Sequence, residues 1–413
     1  MNSSHGRAIV THHTQLRAPR LLLAALAAIQ FVHVLDFIIL MPLGPQLMRE
    51  LSIGPRSFGL IVSSYNLAAA LAGLAGAILL DRFDRKSAML FAFFGLTLAT
   101  LVCGFAPTFP ALLGARFVAG IFGGLIQALI FTVVGDSFPE SRRGAATGTV
   151  MSSFSLATVL GVPLGLFLAD RWGWRVPFLF LGFASVPLLI ACFFGLPNLR
   201  GHLNGHSFSD AKVEFANLKV LMRRKKTIDA ILLIVSLMFA GFTVIPYVSA
   251  YLVANVGLSQ SDIAVVFFAG GITTFATARL IGVISDRYGK LRVFTWLAVI
   301  STIPIVILTH LGSSSLITAV IVTTFFTTLI SARGIPALAM ITASIEKAKR
   351  GRFLSLTSSV QQAASAAASL FAGWLLGTSA DGHILRYQWA GYVAVAATGA
   401  AIIFARRLRI NVT

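Results

Sequence analysis

The sequence is short of charge, and of negative charge above all. Only 11% of its 413 residues are Asp, Glu, Lys or Arg, and 14 acidic residues stand against 33 basic ones, a net charge of +19. A water-soluble domain carries about 25% charged residues. With 57% of the chain apolar, one water-facing core cannot hold that mass, and disorder, coiled coil and collagen are excluded by the same balance. Cysteine is nearly absent. Cys103 and Cys192 both fall inside apolar runs, which excludes a disulfide scaffold and makes them small core residues. No phosphate-binding G-x-x-x-x-G-K-[ST] loop occurs, so ATP is not expected to drive this chain from within. No metal-ligand cluster, cofactor motif or nucleophile–base pair is visible. His12-His13 stands alone near the amino terminus, and no enzymatic activity is expected. No cleavable signal peptide is evident, because the first twenty residues are polar and basic.

Long apolar runs are what the chain does have. A membrane span needs about 20 mostly apolar residues, and twelve such runs can be read: 21–43, 58–80, 88–105, 111–134, 145–169, 176–196, 230–253, 263–284, 293–311, 316–339, 353–376 and 389–404. Strands of a barrel would alternate in ~10-residue segments, and these runs do not. The fold class expected is an all-α membrane protein, twelve transmembrane helices in two six-helix bundles. The basic residues support that count. With both termini in the cytoplasm, 25 of the 33 fall in cytoplasmic segments, five fall outside, and Arg116, Arg279 and Arg333 lie within spans. Such a bias is the positive-inside signature. The expected organisation is a cytoplasmic tail (1–20), a first bundle (21–196), a cytoplasmic central loop (197–229), a second bundle (230–404) and a cytoplasmic tail (405–413), in a multi-pass protein of the inner membrane. The lipid bilayer thus accounts for the positive charge. Arg223-Arg224-Lys225-Lys226 is expected to rest on anionic lipid, and nucleic acid is not an expected partner.

The two bundles are related by an internal repeat. Asp81-Arg82 after the second run and Asp286-Arg287 after the eighth are 205 residues apart, and Arg143-Gly144 and Arg350-Gly351 are 207 apart. Two landmarks with nearly one offset mark two halves of the same orientation, and a substrate site is expected near the midplane between them.

These segments resemble the major facilitator superfamily. The loop G-x-x-x-D-R-x-G-[RK] is matched by Gly282 through Lys290 and more weakly by the first copy, where Ala77 and Asp84 replace the two glycines. Arg116-Phe117-Val118-Ala119-Gly120 is similar to the family's R-x-x-x-G motif, and Gly161-Val162-Pro163-Leu164-Gly165 to the motif of its antiporters. Asp170-Arg171-Trp172-Gly173-Trp174-Arg175 resembles the segment that drug:proton antiporters and arabinose-efflux-permease-like exporters carry after span 5. The resemblance covers the whole chain. It implies proton-coupled efflux of a small organic molecule (drug, sugar or metabolite) by alternating access, with protons as the second partner and a monomer as the working unit. An uncoupled facilitator or importer, or a receptor that moves nothing, stays open at this point. The resemblance further implies a cytoplasmic gate. Asp81 would sit against the start of span 11, with Arg82 and Arg85 pairing with Asp136 or Glu140, and Asp286, Arg287 and Glu346 could mirror this in the second half. A plain topological role for these charges is the alternative.

Three residues read as proton-coupling candidates: Asp36, His33 and Arg116. A charge deep in a span costs at least ~2.5 kcal/mol, and Asp36 sits mid-run with His33 one helical turn earlier. A carboxyl in a dry site can load and release a proton as access alternates, and histidine titrates near neutrality unaided. Arg116 could pair with Asp36, so that protonation would break the pair; a permanent structural pair is the alternative. Substrate-cavity candidates are Tyr65, Asn66, Gln127, Tyr247, Tyr251, Arg333, Gln361 and Gln362, each of which could equally be an interhelical contact. Gly161, Pro163 and Gly165 are read as a hinge in span 5, or as small-residue packing.

Overall fold

The structure, a computed structural model, describes residues 19–199, 224–344 and 350–408. Helices dominate because a chain in lipid must satisfy every backbone N–H and C=O internally. In the first half they are α1 (Pro19–Ile38), α2 (Gly44–Glu50), α3 (Pro55–Leu79), α4 (Arg85–Phe105), α5 (Phe109–Ser137), α6 (Glu140–Leu156), α7 (Val162–Trp172) and α8 (Arg175–Gly195). In the second they are α9 (Lys225–Phe242), α10 (Val248–Tyr251), α11 (Gln260–Tyr288), α12 (Lys290–Thr309), α13 (Leu316–Ala343), α14 (Arg350–Leu375) and α15 (Tyr387–Arg407). Eleven segments are long and apolar enough to cross a membrane, α6 joining α7 and α9 joining α10 through short irregular turns. The twelfth segment is α14, 26 residues long and diluted by serine, glutamine and alanine. The apolar runs read from sequence correspond to these elements. Some helices extend past them, as at Lys225 and Tyr288, while α1 stops at Ile38 and α9 at Phe242, inside their runs.

Proline and glycine set the breaks. Pro42, Gly44 and Pro45 interrupt the first span, and α3, α5 and α7 carry proline in their first turn, where the missing N–H costs nothing. In the fifth span Pro163 cannot donate to the carbonyl four residues back. The chain widens there into a π turn, Ala157–Gly161, closed by the Val162 N–H on the Ala157 carbonyl. Ser259 and Asp262 form a reciprocal capping box at the start of α11, and Ser315 caps α13.

With twelve crossings, Pro19 and Arg407 lie on one face of the molecule, the termini face; the opposite is the loop face. The core is divided between them unequally. One apolar cluster gathers the loop-face ends of both halves, including Ile39, Leu43, Phe58, Tyr247, Leu252 and Tyr387. At the termini face each half has its own cluster, around Leu26, Phe93 and Ile130 in the first and around Leu233, Phe294 and Ala337 in the second. Polar contacts reinforce the loop-face seam. Ser249 Oγ donates to the Met41 carbonyl at 2.8 Å and Ser63 Oγ lies 3.0 Å from the Ala366 carbonyl, both across the halves, while Tyr247 Oη donates within the second half to the Ser369 carbonyl at 2.9 Å. A two-stranded hairpin, β1 (Gly377–Thr378) with β2 (Ile384–Leu385), covers this face. Asn255 clips it by donating to the Ile384 carbonyl at 3.0 Å and accepting from the Ile384 N–H at 2.9 Å. The halves therefore share one apolar cluster at the loop face and have separate ones at the termini face, although α3 and α14 remain in contact toward that face, where a Cβ on Gly73 would lie 3.3 Å from Ser359 Oγ.

Candidate functional site

The first half builds a buried polar centre where α1, α3, α4 and α5 meet. Asp36 and Arg116 are both fully buried. Arg116 Nη1 donates to Asp36 Oδ2 at 2.9 Å. The guanidinium also lies over the Tyr65 ring, 4.4 Å from its centroid, with Phe178 at 5.9 Å, a cation–π setting that suits Arg. Tyr65 in turn stacks on Phe37 at 5.3 Å. The helices can approach so closely because α5 presents glycine. A Cβ on Gly120 would strike the Tyr65 carbonyl, and one on Gly123 would strike Tyr65 Oη and lie 3.2 Å from His33 Cδ2. Gly120 is thus the small member of the Arg116–Gly120 motif, needed for packing against α3.

The hydrogen bonding around Asp36 has one proton too few. Thr100 Oγ1 lies 2.9 Å from Asp36 Oδ1 and 2.8 Å from the Leu96 carbonyl. A hydroxyl carries a single proton, so it donates to one of these acceptors at a time. A proton added to Asp36 could be donated to Thr100 Oγ1, freeing the hydroxyl for Leu96. Nearby polar atoms also exceed their partners: both ring nitrogens of His33, Tyr65 Oη, Arg116 Nε and Nη2, and Gln30 Oε1 are buried and unpaired. Gln30, His33 and Asp36 follow at three-residue steps along α1 and are 2%, 5% and 0% exposed. Gln30 Nε2 donates to Gln127 Oε1 at 3.4 Å.

Of the sequence-derived candidates, Asp36, His33, Arg116 and Tyr65 come together here, with Gln127 one turn of α5 beyond Gly123. Asn66 is fully buried and donates to the Val62 carbonyl of its own helix at 3.2 Å. Tyr247 and Tyr251 lie in the loop-face seam, where Tyr251 Oη donates to the Leu311 carbonyl at 3.0 Å and its ring packs 4.4 Å from Tyr387. On α14, Gln361 is exposed and Gln362 half-buried. Arg333 lies in the second half, 1% exposed. Its Nη1 donates to Ser301 Oγ at 3.1 Å and to Thr398 Oγ1 at 2.9 Å. Gly161 and Gly165 face α1, where a Cβ would meet the Leu35 methyls at 2.8 Å and Ile39 Cδ1 at 2.6 Å. Pro163 follows the π turn between them.

At the termini face, Arg85 takes Asp136 as its partner, Nε to Oδ2 at 3.3 Å, and its Nη1 donates to the Leu80 carbonyl at 2.7 Å. Arg82, Asp286 and Arg287 are exposed, the last lying over the Tyr288 ring at 5.5 Å. The side chains of Asp81 and Glu140, and all of Glu346, lie outside the described residues. Sequence reasoning missed Thr100, Ser301 and Thr398, single hydroxyls in apolar helices with nothing local to mark them. It also missed Gln30, which the three-residue spacing with His33 and Asp36 could have revealed. No group of His, Cys, Asp and Glu among the described residues could hold a metal ion.

Comparison with known proteins bears on the whole chain. The family described as the Major Facilitator Superfamily matches residues 26–251 and 230–411. The chain is 25% identical over 378 residues to the uncharacterized MFS-type transporter YceJ of Bacillus subtilis (strain 168), covering 91% of this chain and 92% of that protein. It is 30% identical over 181 residues to YhcA of the same organism, where the match spans only 34% of the relative. The multidrug resistance protein Stp of Mycobacterium tuberculosis (strain CDC 1551 / Oshkosh) is 31% identical over 146 residues, 35% of this chain and 27% of Stp. Among solved structures, a bacterial homologue of the human lysosomal transporter Spinster superposes with a TM-score of 0.70 at 18% identity, covering 94% of this chain and 95% of that one. A D-xylose–proton symporter does so with 0.71 at 16%, covering 92% and 97%. These two likenesses concern the fold.

Proposed function

We propose, from the premise that this chain belongs to the Major Facilitator Superfamily, that it exports a small organic molecule in exchange for protons. The relatives are transporters rather than enzymes, and the likeness to a multidrug resistance protein over part of the chain supports the outward direction. One observation carries the coupling: an ion pair, Asp36–Arg116, enclosed in the first half beside a hydroxyl that cannot satisfy both of its acceptors. Intramembrane ionisable residues mark ion and substrate pathways. Protonating Asp36 removes the charge that holds Arg116, completes the Thr100–Leu96 bond, and leaves the guanidinium to seek another partner. That exchange alters how α1 packs on α4 and α5. Gly161 and Gly165 hold the π turn of the fifth span directly against α1, so a shift of α1 is passed to that span.

With both termini cytoplasmic in a cell membrane, as the basic residues favour, the loop-face seam is the closed outer gate and the separate termini-face cores border the inward opening. The Arg85–Asp136 pair ties α4 to α5 at that face. It is one ion pair of a gate whose other proposed members are Arg82, Asp286 and Arg287, exposed in this state, and Asp81, Glu140 and Glu346, whose side chains lie outside the described residues. Asp36→Asn preserves a hydrogen-bond acceptor for Arg116 and is expected to keep the fold and abolish transport driven by a pH gradient in proteoliposomes. Undiminished gradient-driven transport by that variant refutes the coupling role.

A further inference from the structure

The second half holds a buried cation of a different kind. Arg333 lies ten residues before Ala343, the termini-face end of α13, or about 15 Å along the helix. That is half of a hydrocarbon core of ~30 Å. Its guanidinium stays ionised there. Its two recorded partners are neutral, and both are committed: Ser301 Oγ donates to the Ala298 carbonyl at 2.7 Å and Thr398 Oγ1 to the Ala394 carbonyl at 2.8 Å. Each hydroxyl therefore turns a lone pair to Nη1, and the two together fix the plane of the guanidinium. Nη2 is buried with no partner. No carboxylate among the described residues pairs with Arg333. Of the described acids of this half, Asp262 and Asp286 lie in the first and last turns of α11 and Asp381 in the hairpin, while Asp229 is buried one turn into α9, near the termini face, and makes no ion pair with Arg333.

A charge at this depth needs a counter-charge, and the described residues of this half supply none. We infer that Arg333 receives the carboxylate or phosphate group of a small organic anion, so that the transported molecule is anionic. The inference rests on the transporter reading and adds the substrate class to it. Oxyanions of this shape accept paired N–H bonds from one guanidinium, and a fixed guanidinium with a free Nη2 needs little reorganisation to offer them. A cationic substrate would meet an uncompensated positive charge. In this state the group is enclosed among α12, α13 and α15 of the second half, so the anion reaches it only when those helices part.

The test uses the purified full-length protein in detergent, with thermal unfolding followed in acetate, benzoate, citrate, glycerol 3-phosphate, tetraphenylphosphonium and glucose. At least one of the four anions is expected to raise the unfolding temperature of the native chain in a saturable way, to lose that effect in Arg333→Gln, and to bind about tenfold more weakly to Arg333→Lys, which keeps the charge without the fork. Should Arg333→Gln not purify folded, Ser301→Ala/Thr398→Val keeps the guanidinium but frees its plane, and is expected to weaken anion binding by a similar factor. Stabilisation by tetraphenylphosphonium or glucose alone, by no anion, or by anions equally well in the variants overturns the inference and leaves Arg333 a structural staple. Anion binding that depends on Arg333 alongside normal gradient-driven transport by Asp36→Asn counts against proton coupling and not against the anion site.

Discussion

Two buried arginines show how differently the halves of one repeat handle the same charge. Arg116 faces a carboxylate, and Arg333 faces two hydroxyls that are already donating elsewhere. The first arrangement is neutral, and in the mechanism proposed above one proton on Asp36 dissolves it. The second is positive and permanent, since neither serine nor threonine titrates. A transporter that moves protons against an anionic cargo needs one of each, a site whose charge changes and a site whose charge does not. The repeat gave both halves a similar frame, and under the two proposals the residues placed on it are assigned to these two tasks.

The comparison breaks most readily through stability. Asp36→Ala strands the Arg116 guanidinium in a sealed site, and removing one partner of a buried pair costs about 3–5 kcal/mol. Asp36→Ala/Arg116→Leu removes both charges and is expected to recover much of that loss. Arg333→Met strands no opposite charge and gives up two hydrogen bonds to neutral groups, an expected loss of about 1–3 kcal/mol. Thermal unfolding of the purified variants ranks them. If Arg333→Met proves as costly as Asp36→Ala, or if the double variant is no better than the single, the two arginines are held alike and the division of tasks fails.

Much of this contrast was open to reading in the sequence, for identifiable reasons. Twelve crossings follow from run length and from where Lys and Arg fall, because the bilayer imposes one length and one charge bias on every span. Asp36 and Arg116 stand out since a charge in an apolar run is expensive wherever it points. What each charge touches is a matter of helix rotation, which depends on distant packing. Thr100 is 64 residues from Asp36, and Thr398 is 65 from Arg333. Both look like ordinary helix residues in their own segments. Tyr247 and Tyr251 are legible only in part for the same reason. A polar tip in an apolar run suits a cavity as well as an interhelical bond, and in this structure both hydroxyls bond to carbonyls of neighbouring segments.

A second contrast between the halves lies in the repeated loop, and its effects are smaller. Gly289 in the second copy adopts φ +91°, while Asp84, 205 residues earlier, has φ −59° and caps α4 by accepting from the Lys86 and Ser87 N–H groups. Only glycine holds the positive value without strain. Gly289→Ala is expected to cost about 1–2 kcal/mol, and Asp84→Ala about 1 kcal/mol through the lost cap. Asp84→Gly and Gly289→Asp distinguish a cap from a turn. The first keeps a tolerated cap residue and should cost only a few tenths of a kcal/mol, whereas the second forces a side chain into the strained region and should cost as much as Gly289→Ala or more. Equal costs for the two swaps would mean that the copies use one turn after all.

The smallest expected effect separates gating from folding. Asp136 is substantially exposed, with its side chain at 44% against 5% for Arg85, so the pair is half-screened and contributes about 1 kcal/mol, and an amide at position 136 still accepts from Arg85. Asp136→Asn should therefore leave the unfolding temperature nearly unchanged. Its consequence is expected in the transport cycle, because Arg85 joins the start of α4 to the end of α5 at the face where each half has its own apolar core. Releasing it should change the rate of turnover while leaving substrate affinity as it was, and 0.5 M salt, which screens exposed pairs, should reduce the native rate toward that of the variant. A variant with normal turnover and weakened binding would place Asp136 at the substrate instead of the gate.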